Sequence, residues 1–245
     1  MRKLEALGYT IEDSCIQSTI AALHDCLTGK RQLPDRREKS HDWDAFTDLM
    51  LAAWVRRFTD GSDAANRIAG MWGAVVSSAF RSDSYNHEAY LAAYRQTFGR
   101  PAKGSRLVDF VTFYQVSLIR DQLDTVTENR VLEHILRSEA GIYYLGWPHP
   151  AAQLPDAFMS LQASRYLSVL ELLSGYRQSR HQLQFAADWL LSHQNADETW
   201  DMGVSAADQV IFPLSDSWRD KHCRIADCTY RISKIVEAFT GSVSS

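Results

Sequence analysis

The sequence lacks any run of about 18 apolar residues, so it offers no membrane-spanning helix. It also lacks an excess of positive charge. With 26 Lys and Arg against 30 Asp and Glu, its formal net charge is -4, which excludes a strong field for nonspecific binding of nucleic acid or anionic lipid. The opening residues Met1 to Glu5 carry no apolar stretch of the secretory kind, and a cytoplasmic protein is expected. Phosphate loops, dinucleotide fingerprints, G-x-S-x-G and H-E-x-x-H are all missing. So is sustained two-residue alternation, which excludes a strand-based fold.

The four cysteines are Cys15, Cys26, Cys223 and Cys228. A chain of 245 residues, 45% of them apolar, buries a core without disulfide staples, so reduced thiols are expected. His222-Cys223 and Cys228 are spaced more widely than the usual C-x2-4-C half-site, and no second Cys/His pair accompanies them. No metal and no other cofactor is expected.

What the chain does have is helical periodicity. The spacing predicts helices over Ile11 to Leu27, Asp42 to Phe58, from the Gly61-Ser62-Asp63 turn through Ile68, Trp72 and Val76, and over Tyr85 to Phe98. A polar loop over 30–40, broken by Pro34, and a disordered tail over 241–245 complete a single domain covering 1–245. From Leu107 to Ile119 the chain is apolar on nearly every side, as a helix buried all round would be. Thr125 and Glu128 then fit a capping box, followed by the single apolar stripe Val131, Leu132, Ile135 and Leu136. The alternation repeats. Leu161 to Leu173 reads as an inner helix, the stretch with Leu183, Ala186, Trp189 and Leu190 as an outer one, and Ala226 to Phe239 as inner again. Such an order suits helical hairpins forming two concentric layers. A weak internal repeat, 131–146 against 187–203, points the same way.

The segment Trp189-Leu190-Leu191-Ser192-His193-Gln194-Asn195-Ala196-Asp197-Glu198-Thr199-Trp200-Asp201 resembles the QW repeat of the terpenoid cyclase and protein prenyltransferase superfamily, which includes squalene-hopene cyclase-like enzymes. Gln194 and Trp200 match the motif, whereas Glu198 stands where that family has glycine. The resemblance implies that these two residues tie a helix end to the next loop. It also implies an all-α, single-domain (α/α) toroid-like barrel around an apolar cavity, in an incomplete or short-helix version. It covers the last 120 residues or so; the N-terminal half shares only the helical pattern.

Chemistry candidates follow partly from that resemblance. The family's D-x-D-D acid has its nearest counterpart in Asp42-Trp43-Asp44-Ala45, which lacks the last Asp and sits at a helix start, where the macrodipole favours carboxylates. Asp121, Asp124 and Glu128 stand at i, i+3 and i+7, as magnesium-binding helices require, but the capping box would break that face. The family's zinc site uses Asp-x-Cys; Asp227-Cys228 is adjacent, so zinc is not carried over.

The loop Phe212 to Arg219 feeds an inner-type helix, and loops at a barrel mouth are where ligands are met. Asp216, Asp227 and Tyr230 are therefore the candidate catalytic residues. Asp216 would act as a general acid in apolar surroundings, while Asp227 falls where a helix cap is expected. Tyr143, Tyr144, Trp147, Arg165, Tyr166, Trp218 and Arg231 are candidate substrate-binding residues, their aromatic faces suited to cations. His134, His181 and His193 read as solvated or capping residues on outer helices.

Three functions remain open. The first is an enzyme that cyclises or isomerises a hydrophobic, isoprenoid-like or polycyclic small molecule by acid catalysis. The second is a carbohydrate-active α/α-barrel using Asp197, Asp201 and Asp216, whose carboxylates would stand roughly 5–9.5 Å apart. The third is a non-catalytic helical binding scaffold. The oligomeric state stays open.

Overall fold

The computed structural model describes residues 1–33, 37–40 and 42–241. Pro34 of the expected loop and positions 242–245 of the expected tail lie outside the described residues. All regular elements among the described residues are helices: α1 (Arg2–Ala6), α2 (Ser14–Leu27), α3 (Trp43–Phe58), α4 (Asp63–Ala79), α5 (His87–Phe98), α6 (Phe113–Leu118), α7 (Thr125–Arg137), α8 (Leu161–Leu173), α9 (Ser179–Gln182), α10 (Gln184–Ser192) and α11 (Lys221–Thr240), with a 3-10 turn at Val204–Ala206. The protein is all-α. None of these helices is long and apolar enough to cross a membrane. The chain divides into two compact units, one of residues 9–134 and one of residues 1–8 with 135–245; the division falls inside α7.

In the 9–134 unit, α3 packs against α2, α4 and α6, and α4 packs against α5. Its helix ends follow local chemistry. Ser62 caps α4 by accepting from the Ala65 amide, Asn86 caps α5 by accepting from Ala89, and Gly99 closes α5 at φ +72°, a conformation glycine adopts without strain. The core is aromatic. Trp72 is fully buried against Tyr94 and Phe98, with ring centroids 5.7 and 5.0 Å away. Phe80, Tyr85 and Phe110 surround the His134 ring. His134 is thus a packed residue rather than a solvated one, and burial pushes its pKa down.

Two helix expectations need correcting. The apolar stretch from Leu107 to Ile119 is mostly buried, but only Phe113–Leu118 is helical. Asp109 accepts from the amides of Phe110 and Val111, and Gln115 donates to the Arg106 carbonyl. These side-chain bonds offer the backbone an alternative to the helix ladder. The capping box at Thr125 is replaced by Asp124, whose Oδ1 accepts from the amides of Val126 and Thr127, each at 3.0 Å. Glu128 is buried.

In the other unit, α11 packs against α8, α9 and α10, and α8 packs against the 3-10 turn. Arg180 approaches the C-terminus of α11 so closely that a Cβ on Gly241 would strike its guanidinium. A cation there suits the negative end of the helix dipole.

Candidate functional site

The expected site residues all fall in the unit of 1–8 and 135–245, and two of them, Asp227 and Arg231, are buried on α11. This helix starts at Lys221, earlier than its apolar pattern suggests, because Asp220 accepts from the His222 amide and caps it. Asp227 consequently stands in the second turn and is no cap of its own helix. It caps a loop instead. Its side chain is buried, and Oδ2 accepts from the Leu214 amide (2.9 Å), the Ser215 amide (3.0 Å), the Ser215 hydroxyl (2.8 Å) and the Trp218 indole N–H (2.7 Å). One carboxylate oxygen thus collects four donors from the 214–218 segment.

One turn further along, Arg231 is 2% exposed and reaches the other way. It donates to both carboxylate oxygens of Glu171 and to the Ser168 hydroxyl on α8. Its guanidinium lies 4.7 Å from the centroid of the Phe212 ring, and that ring lies 4.6 Å from Trp218. Indole, phenyl ring and guanidinium form one column over α11. The unusual charge expected on this apolar helix is therefore paired with Glu171. Its Nη1 has no hydrogen-bond partner among the described residues.

Asp208 completes the arrangement. Its Oδ1 accepts from the amides of Val210, Ile211 and Phe212 at 2.8–2.9 Å, while Oδ2 accepts from the Ser164 hydroxyl of α8 at 3.0 Å. The next residue, Gln209, has φ +57°, in the left-handed region. Sequence reasoning passed over Asp208 and Glu171. Each had a readable signal: an Asp before a short apolar run is a common backbone-capping device, and Glu171 is the single acid of α8.

Between these two carboxylate-held loops lies an open depression of about 320 Å³, lined by Val204, Gln209, Pro213, Asp216, Trp218 and Arg219 among others. Asp216 is exposed on its wall, so the apolar surroundings on which a general-acid role rests are not around it. Tyr230 is 40% exposed; its hydroxyl accepts from Lys234, and the Lys234 ammonium stands 4.1 Å from its ring centroid. Of the expected catalytic and binding residues, the depression gathers Asp216 and Trp218, with Asp227 beneath.

The remaining expected binders lie elsewhere in this unit. Trp147 is buried, its indole donating to the Pro150 carbonyl, and Tyr166 is buried with its hydroxyl on the Ala151 carbonyl. Burial raises the Tyr166 pKa. These two rings pack on each other at 5.2 Å, as core. Tyr143 and Tyr144 are exposed and edge-on to each other, and Arg165 is exposed beside Gly146.

The Gln194–Trp200 segment is closed by its own side chains. Gln194 donates its amide to the Glu198 carbonyl, and the Trp200 indole donates to the Leu190 carbonyl at 2.8 Å, fastening the loop to the end of α10. The Trp200 amide donates to Thr229 of α11. Glu198 sits at φ +62°, a conformation that favours glycine. Asp201 is gripped bidentately by Arg224 at 2.6 and 2.8 Å, and that hydrogen bonding holds its carboxyl below the usual range. Asp197 accepts from the Thr199 hydroxyl, which lowers its pKa. Burial pushes the Cys228 thiol up to about 12, an inert form. Among the described residues no cluster of three or more His, Cys, Asp or Glu could hold a metal.

Comparison with family models, curated proteins and solved structures found no match.

Proposed function

We propose that the chain is an α/α-toroid-type helical scaffold, akin to the terpenoid cyclases, that takes up a hydrophobic, isoprenoid-like small molecule. The supporting observation is the Gln194–Trp200 clasp. The Trp200 indole fastens the following loop to the end of α10 and Gln194 closes that loop on the Glu198 carbonyl, an arrangement like the work of the QW repeat in that superfamily, and Glu198 takes a glycine-type conformation where that repeat carries glycine. Cyclisation or isomerisation is the chemistry that goes with this scaffold. Asp216 is then the acid to test, because Asp227 is committed as an acceptor to four donors and the Tyr230 hydroxyl is engaged by Lys234.

The test is incubation of the full chain with prenyl diphosphates, squalene and squalene epoxide, with and without magnesium, followed by mass spectrometry of extracted products and of the intact complex. The reading expects at least one of these probes to be retained. Conversion that disappears in Asp216→Asn supports the enzyme. Neither retention nor conversion of any probe overturns the proposal.

A non-catalytic binding scaffold is the second reading, favoured by the same commitment of Asp227 and by the exposure of Asp216. It expects retention without turnover, unchanged in Asp216→Asn. The carbohydrate reading loses support because one of its three carboxylates, Asp201, is occupied by Arg224.

A further inference from the structure

A depression of about 620 Å³ in the 9–134 unit lies at the start of α3. A volume of this size suits a small organic ligand. Four cations line it, Arg37, Lys39, Arg100 and Lys103, against two carboxylates, Glu38 and Asp42, and the Trp43 ring forms part of the wall. That local excess of positive charge stands out in a chain whose net charge is -4.

The carboxylates are already engaged. Asp42 is buried and holds Arg100 Nε at 2.7 Å and the Tyr94 hydroxyl at 2.9 Å. Its side chain makes no capping bond to α3, and with Asp44 in the first turn it sets two carboxylates at the positive end of this 16-residue helix. Glu38 lies 3.5 Å from Arg106, a fifth cation beside the group. Arg37 pairs with Asp44 at 2.8 Å. Arg100 is 3.7 Å from Asp44, which therefore opposes an incoming anion to a degree. Lys103 donates to the Lys39 carbonyl at 2.7 Å, which fixes its ammonium beside this wall and leaves it two further N–H donors. Arginine and lysine donors around a helix start are the chemistry that recognises phosphate. An indole face is the chemistry that recognises a flat ring.

We propose that this depression binds a phosphate ester carrying a flat aromatic group, of the mononucleotide class, with the phosphate on Arg37, Arg100 and Lys103 and the ring against Trp43. The experiment is isothermal titration of the full chain with adenosine 5′-monophosphate, adenosine and inorganic phosphate. The nucleotide is expected to bind at least tenfold more tightly than either fragment, and to weaken as salt rises. Lys103→Gln is expected to lower that affinity at least threefold, and Trp43→Leu at least fivefold. Circular dichroism identifies a variant that fails to fold; Lys103→Gln, which leaves the Asp42–Arg100 pair intact, then carries the test. Equal affinity for nucleotide and adenosine, equal affinity for nucleotide and phosphate, no measurable binding, or affinity unchanged in folded variants would each overturn the assignment.

Discussion

The two units differ in the balance between ring packing and carboxylate capping. In the 9–134 unit rings form two buried clusters, Trp72 with Tyr94 and Phe98 on α4 and α5, and Phe80 with Tyr85, Phe110 and His134, while Asp109 holds two loop amides. In the unit around α11 rings pack as well, but the carboxylates gather more donors: Asp208 three amides, Asp227 four donors, and Asp201 an arginine. Apolar packing is non-directional and fills volume, whereas an acceptor with several donors fixes the path of a backbone. The first strategy suits a body of long helices. The second suits loops that must present side chains to solvent in one arrangement.

The contrast can be broken or sharpened by substitution. Trp72→Ala removes the largest fully buried side chain and is expected to cost about 3–5 kcal/mol, read from denaturant unfolding. Its local signature is faster amide exchange in α4 and α5. Asp227→Ala is expected to cost about 3 kcal/mol, since it leaves buried donors without an acceptor. There the faster exchange should appear at Leu214 and Ser215, and Trp218 fluorescence should shift toward that of a wetter indole. If exchange instead rises evenly along the chain, the division of labour between rings and carboxylates is wrong.

Asp201→Asn is expected to cost about 1–3 kcal/mol near neutral pH by breaking a charge-assisted pair. The folded carboxyl is held below its usual value, so the native stabilisation is complete above about pH 5. It is lost as pH falls through the depressed folded value. Stability of the native chain and the variant should therefore converge in acid, as thermal melts across pH 2–7 would show. Glu198→Gly is the smallest change and has the opposite sign. Relief of a left-handed conformation should raise stability by up to about 1 kcal/mol, measured by the shift in melting temperature.

Helices were legible in the sequence where the period was strong. The start of α4 at Ser62-Asp63 and the end of α5 at Phe98-Gly99 could be read directly, because capping residues stand beside the apolar pattern. Leu107 to Val111 could not, since burial and helicity give the same composition and only Asp109 and Gln115 tell them apart. The site was legible at α11 as a set of residue types. Asp227 and Arg231 were singled out, but their partners Ser215, Trp218 and Glu171 lie on other segments, and no local pattern predicts such pairing. The ring pair Trp147 and Tyr166 shows the converse error: an aromatic wall and an aromatic core are written with the same letters.

Asp208 and Asp227 each grip a short run of main chain, one at 210–212 and the other at 214–215. The peptide between those grips has no slack. Evolution can therefore exchange many faces of the surrounding helices more freely than it can insert a residue here. Distant kin should be recognisable by an acidic residue, a short stretch of fixed length ending in Phe-Pro, and a second acidic residue on the helix that follows, even where overall identity has faded.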